Sequence, residues 1–239
     1  MRSGVSAVLG ALMLASVIVP GPALALDHYR AVKQALYEQV FASTRKTLYC
    51  RCPFDVRREL DLGSCGYQSP SQGRRARRVE VEHVVPASWI GGGRACWRDK
   101  ICRDAKGRHF KGRKCCLKTD AAFRAAYQDL HNLWPTIGEV NERRRNFGFG
   151  LIDGERRVFG RCDVEVDARE KLIEPRPEIR GDIARISLYM AEIHGIWLTA
   201  DQRHLFELWH RADPPDAGER RRNRIIERLQ GTVNPYIGS

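Results

Sequence analysis

What this 239-residue chain lacks already narrows its possibilities. Beyond its first thirty residues, no uninterrupted apolar run approaches the ~20 residues that a membrane-spanning helix needs. No period of solenoid length recurs, which excludes a repeat array, and no long low-complexity linker divides the chain. None of the eight cysteines forms a Cys-x-x-Cys pair, the knuckle spacing of tetrahedral structural zinc. No His-x-x-x-His pair lies near His83, which counts against a zinc hydrolase built on histidines. Acidic residues are in deficit: 29 Asp and Glu face 41 Lys and Arg, for a formal charge of +12. Such a surplus says little about fold and much about partners, which should be polyanionic.

The N-terminal stretch "MRSGVSAVLGALMLASVIVPGPALALDHYR" has one early positive charge and an apolar run broken at Pro20, Gly21 and Pro22. It then offers an A-x-A site, Ala23-Leu24-Ala25. These features predict a secretory signal peptide over residues 1–25, cleaved near Ala25, and a mature domain over 26–239 in the periplasm or outside the cell. The remaining length suits one domain with a continuous core, not anchored in a membrane and expected as a monomer. Eight cysteines in an exported chain predict disulfides. They allow 105 pairings, so connectivity stays open. The most plausible local clip joins Cys102 to Cys115 or Cys116.

Periodicity predicts a mixed α+β fold, rich in helix, with a few short antiparallel strands and disulfide staples. A helix is expected within Asp27–Leu48, with Val32, Leu36 and Val40 on one face. Residues 50–73 read as a stapled loop, and Val79–Val85 as a strand. "KTDAAFRAAYQDL" reads as a helix capped by Thr119 or Asp120. Pro135 and Thr136 suggest a turn into a helix through Glu139 and Arg143. Asp153-Gly154 and the alternation of Val164 and Val166 suggest a hairpin. The C-terminal third is helical, with Ile179, Ile183, Ile186, Met190 and Ile193 on one stripe and Leu205, Leu208 and Trp209 on another, all expected in the core. Trp134 is expected there too.

Basic residues are concentrated. Ten Lys and Arg lie between Arg94 and Lys118 against Asp99 and Asp104, and "GRRARR" supplies Arg74, Arg75, Arg77 and Arg78. The two runs flank "VEVEHVVPASW", where Glu82 stands beside His83 at the end of a strand. A solvated basic face is the plain reading, but a positive rim around a carboxylate–imidazole pair suits a phosphodiester substrate. Hydrolysing that bond needs a base to activate water, hard oxygen ligands for a cation, and cations on the flanking phosphates. Glu82 is a hard donor suited to Mg²⁺, and His83 is the side-chain type that titrates near neutrality. Asn132, in "DLHNLWPTIGEVN", would add an uncharged oxygen.

The blocks "LYCRC" (48–52), "SCGYQ" (64–68), "RRVEVEHVVPASW" (77–89), "GRKCC" (112–116), "DLHNLWPTIGEVNERRRNF" (129–147) and "NPY" (234–236) resemble the bacterial endonuclease I family, in order, from about Leu48 to the C-terminus. That family comprises periplasmic or secreted nonspecific nucleases with a ββα-metal active site, in which the base comes from a strand and an asparagine from the following helix. The resemblance implies that Glu82 and Asn132 bind one Mg²⁺, although other divalent ions could substitute. It implies that His83 activates the attacking water, that Arg113 stabilises the phosphate, and that the products carry 5′-phosphates. Substrates would be double- and single-stranded DNA and RNA. Glu139 and His131 are candidates for supporting roles around the metal. Arg74, Arg75, Arg77, Arg78, Arg108, Lys111 and Lys114 are candidate nucleic-acid contacts. The segment between Cys96 and Cys116 looks longer than usual for the family and carries the additional Cys102 and the doubled Cys115-Cys116. Arg143, Arg144 and Arg145 read first as a solvated or structural run. The rival is a non-enzymatic basic protein that binds or takes up extracellular DNA, which would keep the charge without needing Glu82, His83 and Asn132 together.

Overall fold

The structure is a computed structural model and describes residues 28–154 and 156–238; the expected signal peptide lies outside them. Helix α1 (Tyr29–Ala35) continues as one π-helical turn to Val40, so it ends earlier than the apolar spacing suggests. Its buried face, Val32, Ala35, Leu36 and Val40, packs with Phe41, Leu130, Leu133, Ile226 and Leu229 into a small second core. Strand β1 (Val79–His83) follows a 3₁₀ turn over Arg74–Arg77. Short helices α2 (Ala87–Gly91) and α3 (Ala95–Arg98) lead into a two-residue-wide hairpin, β2 (Cys102–Arg103) and β3 (His109–Phe110). Helices α4 (Arg113–Thr119) and α5 (Ala121–Gln128) come next. The side chain of Asp120 accepts from the Phe123 amide and so caps α5.

Residues 133–137 are not a turn but strand β4 (Leu133–Ile137), antiparallel to β1 with Val79 opposite Ile137 and His83 opposite Leu133. Pro135 is tolerated because β4 pairs with only one strand, and on its other edge the chain uses the Pro135 carbonyl, which accepts from the Leu48 amide at 2.8 Å. Helix α6 (Gly138–Arg144) starts at once where β4 stops. A Cβ on Gly138 would stand 2.7 Å from the Glu80 carboxylate and 2.8 Å from the Arg75 carbonyl, so a side chain there would push α6 off β1. β1, β4 and α6 together are the strand–strand–helix unit.

The expected Asp153-Gly154 hairpin is displaced. β6 (Val164–Asp167) pairs instead with β7 (Leu172–Pro175), while β5 (Gly148–Phe149) joins β7 in parallel. Three helices close the fold: α7 (Arg180–His194), α8 (Ala200–Ala212) and α9 (Ala217–Gln230). Capping boxes at Thr199/Gln202 and Asp216/Glu219 start the last two, each satisfying otherwise orphaned amides. Most of the expected stripe is core, but Ile193 and Leu208 are about half exposed because each falls on the outer side of its helix, and Trp134 is only partly buried. Four disulfides link Cys50–Cys162, Cys52–Cys65, Cys96–Cys116 and Cys102–Cys115, the last being one of the two expected local clips. No described helix is long and apolar enough to cross a membrane.

Candidate active site

Alternation along β1 sends Glu80 and Glu82 to one face and His83 to the other. The pair converges because the strand stops at His83. The Val84 amide still bonds the Asn132 carbonyl at 3.0 Å, but at Val85 the Asn132 side chain replaces the next strand partner. Its Oδ1 accepts from the Val85 amide at 2.7 Å and its Nδ2 donates to the Val85 carbonyl at 3.0 Å. Asn132 is fully buried and both ends of its amide are engaged. It therefore terminates the strand and turns the chain toward Pro86, and it does not reach the cavity that Glu82 and His83 line.

That cavity, about 450 Å³ and open to solvent, is lined by Glu82, His83, Trp97, Arg113, Asn141 and Arg144 together with Arg75 and the first residues of α2. The asparagine at the cavity is Asn141, on α6. Its Nδ2 donates to Glu80 Oε2 at 3.1 Å, and among the described residues nothing hydrogen-bonds its Oδ1. Glu80 is itself gripped by Arg75 through Nε at 2.9 Å and Nη2 at 2.5 Å. The Arg75–Glu80 pair thus fixes the amide so that its nitrogen faces the strand. Sequence reasoning missed Asn141 because 133–137 was read as a turn. Once these residues form the second strand, the asparagine of the helix after it is residue 141.

Glu82 is almost fully buried. Its Oε1 accepts from the Tyr49 hydroxyl at 2.7 Å and lies 3.2 Å from Arg144 Nη1. Burial pushes its carboxyl above the ordinary range, and Arg144 and Tyr49 offset only part of that. A carboxylate left short of positive charge beside a free amide oxygen is a donor pair that fits one hard divalent cation. The remaining positions would be open to water and phosphate. Among the described residues no cluster of three or more His, Cys, Asp or Glu is placed to hold a metal.

His83 Nε2 lies 2.9 Å from the Tyr127 carbonyl. A carbonyl only accepts, so the proton sits on Nε2 and Nδ1 is left as the acceptor. Burial drives the imidazole down to about 3; the Tyr127 carbonyl opposes this, while Arg113 and Arg144 add to it. His83 is consequently neutral near neutrality. Its ring stacks with Tyr29 and Tyr127, at centroid distances of 6.0 and 4.2 Å.

Arg113 is exposed at the start of α4, with its guanidinium 5.9 Å above the Tyr127 ring. Of the basic residues near it, Arg108 is paired with Asp104 at 2.8 Å, Lys111 donates to the Arg98 carbonyl at 2.7 Å, and Lys114 is exposed; none of the three lines the cavity. Arg74, Arg77 and Arg78 are exposed nearby. Glu139 points away, buried, and accepts from the Tyr67 and Ser69 hydroxyls and the Ser71 amide, so it fastens the 67–71 loop. His131 is buried against Tyr189 and meets the Thr232 carbonyl at 3.2 Å, also outside the cavity. Arg144, in a run read as solvated or structural, proves to be fully buried. It donates to the His83 carbonyl at 2.9 Å and the Val84 carbonyl at 2.5 Å, locking the strand end that carries the pair.

The Endonuclease I family model matches residues 30–239. The chain is 41% identical over 213 residues to an extracellular deoxyribonuclease of Aeromonas hydrophila, covering 87% of this chain and 88% of that protein. It is 41% identical over 233 residues to a periplasmic deoxyribonuclease of the same organism, covering 96% and 92%. A shorter match, 31% over 127 residues and 46% of this chain, is to an extracellular ribonuclease of Bacillus amyloliquefaciens, of which it covers 43%. With the family model spanning nearly the whole chain and the carboxylate–imidazole pair seated at the end of a strand–strand–helix unit, the protein belongs to the endonuclease I family and is a nuclease.

Proposed function

We propose that this nuclease is an exported, metal-dependent endonuclease that cuts DNA and RNA without sequence specificity. The observation that carries the reading is the meeting of Glu82, His83, Asn141 and Arg113 at one open cavity. Glu82 and Asn141 would hold a divalent cation, with Mg²⁺ the best match to two hard oxygens; Asn132, the asparagine suggested by the sequence, is the less suitable donor because its amide is spent on Val85. When bound, such an ion supplies charge stabilisation to the phosphoryl oxygens and the leaving oxygen.

The chain's own residues account for the rest. His83 accepts a proton from water at Nδ1 as the water oxygen attacks phosphorus. Its neutral state at working pH follows from burial beside two arginines. The bond from phosphorus to the 3′ oxygen breaks, leaving a 5′-phosphate and a 3′-hydroxyl protonated from solvent. Arg113 is free to hold the non-bridging oxygens, where charge builds in the transition state. Arg75 and Glu80 keep the Asn141 amide oriented, and Tyr49 and Arg144 keep Glu82 in place. Exposed Arg74, Arg77, Arg78 and Lys114 suit contacts to flanking phosphates, which carry no sequence information. The names of the Aeromonas and Bacillus relatives support both nucleic acids as substrates and an extracytoplasmic location.

Digestion of plasmid and of RNA by the oxidised protein, in Mg²⁺ or in EDTA, tests this for wild type beside His83→Ala, Asn141→Ala and Asn132→Ala. Metal-dependent degradation lost in the first two variants is the expected result. Tight, salt-sensitive binding by wild type without cleavage in any divalent metal would replace the reading with that of a DNA-binding protein.

A further inference from the structure

The segment between Arg98 and Lys111 is a disulfide-braced basic arm that the catalytic reading leaves unused. It carries six cations, Arg98, Lys100, Arg103, Lys106, Arg108 and Lys111, against two carboxylates, Asp99 and Asp104. Its core is the β2–β3 ladder, Cys102 opposite Phe110 and Arg103 opposite His109. A five-residue loop, 104–108, closes it. Asp104 builds that loop: its carboxylate accepts from the Lys106 and Arg108 amides, each at 2.9 Å, and its own amide bonds the Arg108 carbonyl at 3.0 Å. Gly107 sits there with φ +76, a conformation that other residues adopt at a cost. One of the two carboxylates is therefore consumed by the turn. Lys100, Arg103 and Lys106 are exposed and have no ion pair among the described residues.

The arm is fixed to the active site at its root. Trp97 and Arg113, on either side of it in sequence, both line the catalytic cavity. The Gly112 amide bonds the Cys96 carbonyl at 2.9 Å, and Lys111 bonds the Arg98 carbonyl. Cys96–Cys116 and Cys102–Cys115 tie both the approach to the arm and its first strand to α4, the helix that begins with Arg113. Seven residues separate Arg113 from Lys106, a reach of at most about 23 Å. The minor groove of a duplex is only about 6 Å wide. Even at about half of that extended limit, roughly 12 Å, an arm rooted beside the scissile phosphate is long enough to cross the groove.

We propose that this hairpin grips the backbone of the strand that is not being cut, and so makes duplex nucleic acid the preferred substrate class. The inference rests on the nuclease reading for the location of the scissile phosphate. Duplex carries the second row of phosphates that Lys100, Arg103 and Lys106 need; a single strand threaded through the catalytic cavity does not. The two disulfides hold the arm in shape before substrate arrives, which lowers the ordering cost of the contact.

The test is binding in EDTA, where metal-dependent cleavage cannot confuse the readout, of a fluorescent 20-base-pair duplex and of one of its strands alone. Wild type is compared with Lys100→Gln/Arg103→Gln/Lys106→Gln, exposed changes that spare the fold. The variant should lose roughly ten- to a hundredfold affinity for duplex near 0.15 M salt. Its slope of log affinity against log salt should flatten by about 2 to 3, since each phosphate contact contributes about 0.9. Affinity for the single strand should fall less than about threefold. Equal losses on both forms would overturn the proposal and reduce the arm to a general positive field. No loss on either would overturn it too. A wild type that binds duplex through the arm but cuts nothing in any metal would sink the nuclease reading and leave the arm standing.

Discussion

Among the described residues two arginines are fully buried, Arg144 and Arg185, and the company each keeps separates the candidate site from a structural cluster. Arg185, on α7, meets Glu219 of α9 with two parallel hydrogen bonds, Nε at 2.8 Å and Nη2 to the other oxygen, and gives Nη1 to the Asp213 carbonyl at 2.5 Å. Glu219 also closes the capping box of its own helix. Charge and hydrogen-bonding capacity are matched on both sides. Arg144 touches only one oxygen of Glu82, spends its other donors on the His83 and Val84 carbonyls, and leaves Nε without a partner among the described residues. Burial therefore still pushes the Glu82 carboxyl up. Complete pairing closes the C-terminal helices, whereas incomplete pairing at β1 leaves the carboxylate that the proposed function assigns to a cation. Changes in the first region should alter stability and spare the chemistry; those around the cavity should do the reverse.

The largest separation should come from His83→Ala. Loss of a general base lowers kcat by roughly 10² to 10⁴. Affinity for DNA in EDTA should stay within about threefold of wild type, because Arg113 and the basic rim remain. Affinity falling in step with rate would assign His83 to binding. Next in size is Arg185→Met, which strands Glu219 without its partner in the core and should cost about 3–5 kcal/mol in urea unfolding. The double variant Arg185→Met/Glu219→Met should recover part of that loss, the remainder being the Glu219 half of the α9 capping box and its contact with Arg222, with kcat per folded molecule unchanged. If single and double variants lose equally, the pair's packing volume matters and its charge does not.

The two asparagines bring the comparison within one motif. Asn132→Ala leaves the Val85 amide and carbonyl without partners and should lower stability by about 2–4 kcal/mol, on the scale of two buried groups each left unsatisfied. Asn141→Ala removes a half-exposed amide with one weak bond and should leave stability nearly unchanged, within about 0.5 kcal/mol. The Mg²⁺ concentration for half-maximal activity should rise at least about tenfold, since even changes around a metal's ligands do that much. A titration showing the opposite assignment would return the ligand role to Asn132.

These contrasts also mark what could be read from the amino acids alone. The Glu82-His83 pair was legible because a carboxylate, an imidazole and a following proline stand adjacent in the chain. A cap at Thr119 or Asp120, the helical C-terminal third and a clip from Cys102 to Cys115 or Cys116 were legible for the same reason, each being local, and the structure selects Asp120 and Cys115. What escaped was tertiary. Pro135 made a strand look like a turn, which moved the expected metal-binding asparagine nine residues upstream of Asn141. Periodicity marked Ile193 and Leu208 as apolar without telling which side of the bundle they face. Arg144 sits in a run of three arginines, and only the packing of α6 on β1 decides which of them is buried. Glu139 and His131 are chemically able to serve a metal, yet Tyr67, Ser69 and Tyr189 claim them.

The smallest effect concerns pH, and it distinguishes the cavity from the polar cluster beneath α7. Asp129 accepts from His194 at 2.7 Å, Tyr189 at 2.7 Å and Gln230 at 2.7 Å. Burial alone would raise its carboxyl, but these bonds outweigh it and hold the group below its ordinary 3.8. His131, next to it, is held below 6.5 by burial, against the attraction of Asp129. Both folded values are depressed, so on acidification the unfolded chain takes up each proton first, and stability must fall with pH. Loss should begin as pH drops through about 6.5, from His131 and from His83, which burial depresses in the same sense, and Asp129 should add to it below about 4. His131→Gln should flatten the upper limb of a urea-midpoint profile between pH 8 and pH 3. Asp129→Asn should be less stable at pH 7 and flatten the lower limb. His83→Ala should remove the His83 share of the loss, which runs from about 6.5 down to about 3, and leave the Asp129 share below about 4 in place. A lower limb that vanished with His83→Ala would mean that the two regions titrate as one, and the separation between working and structural polar groups would fail.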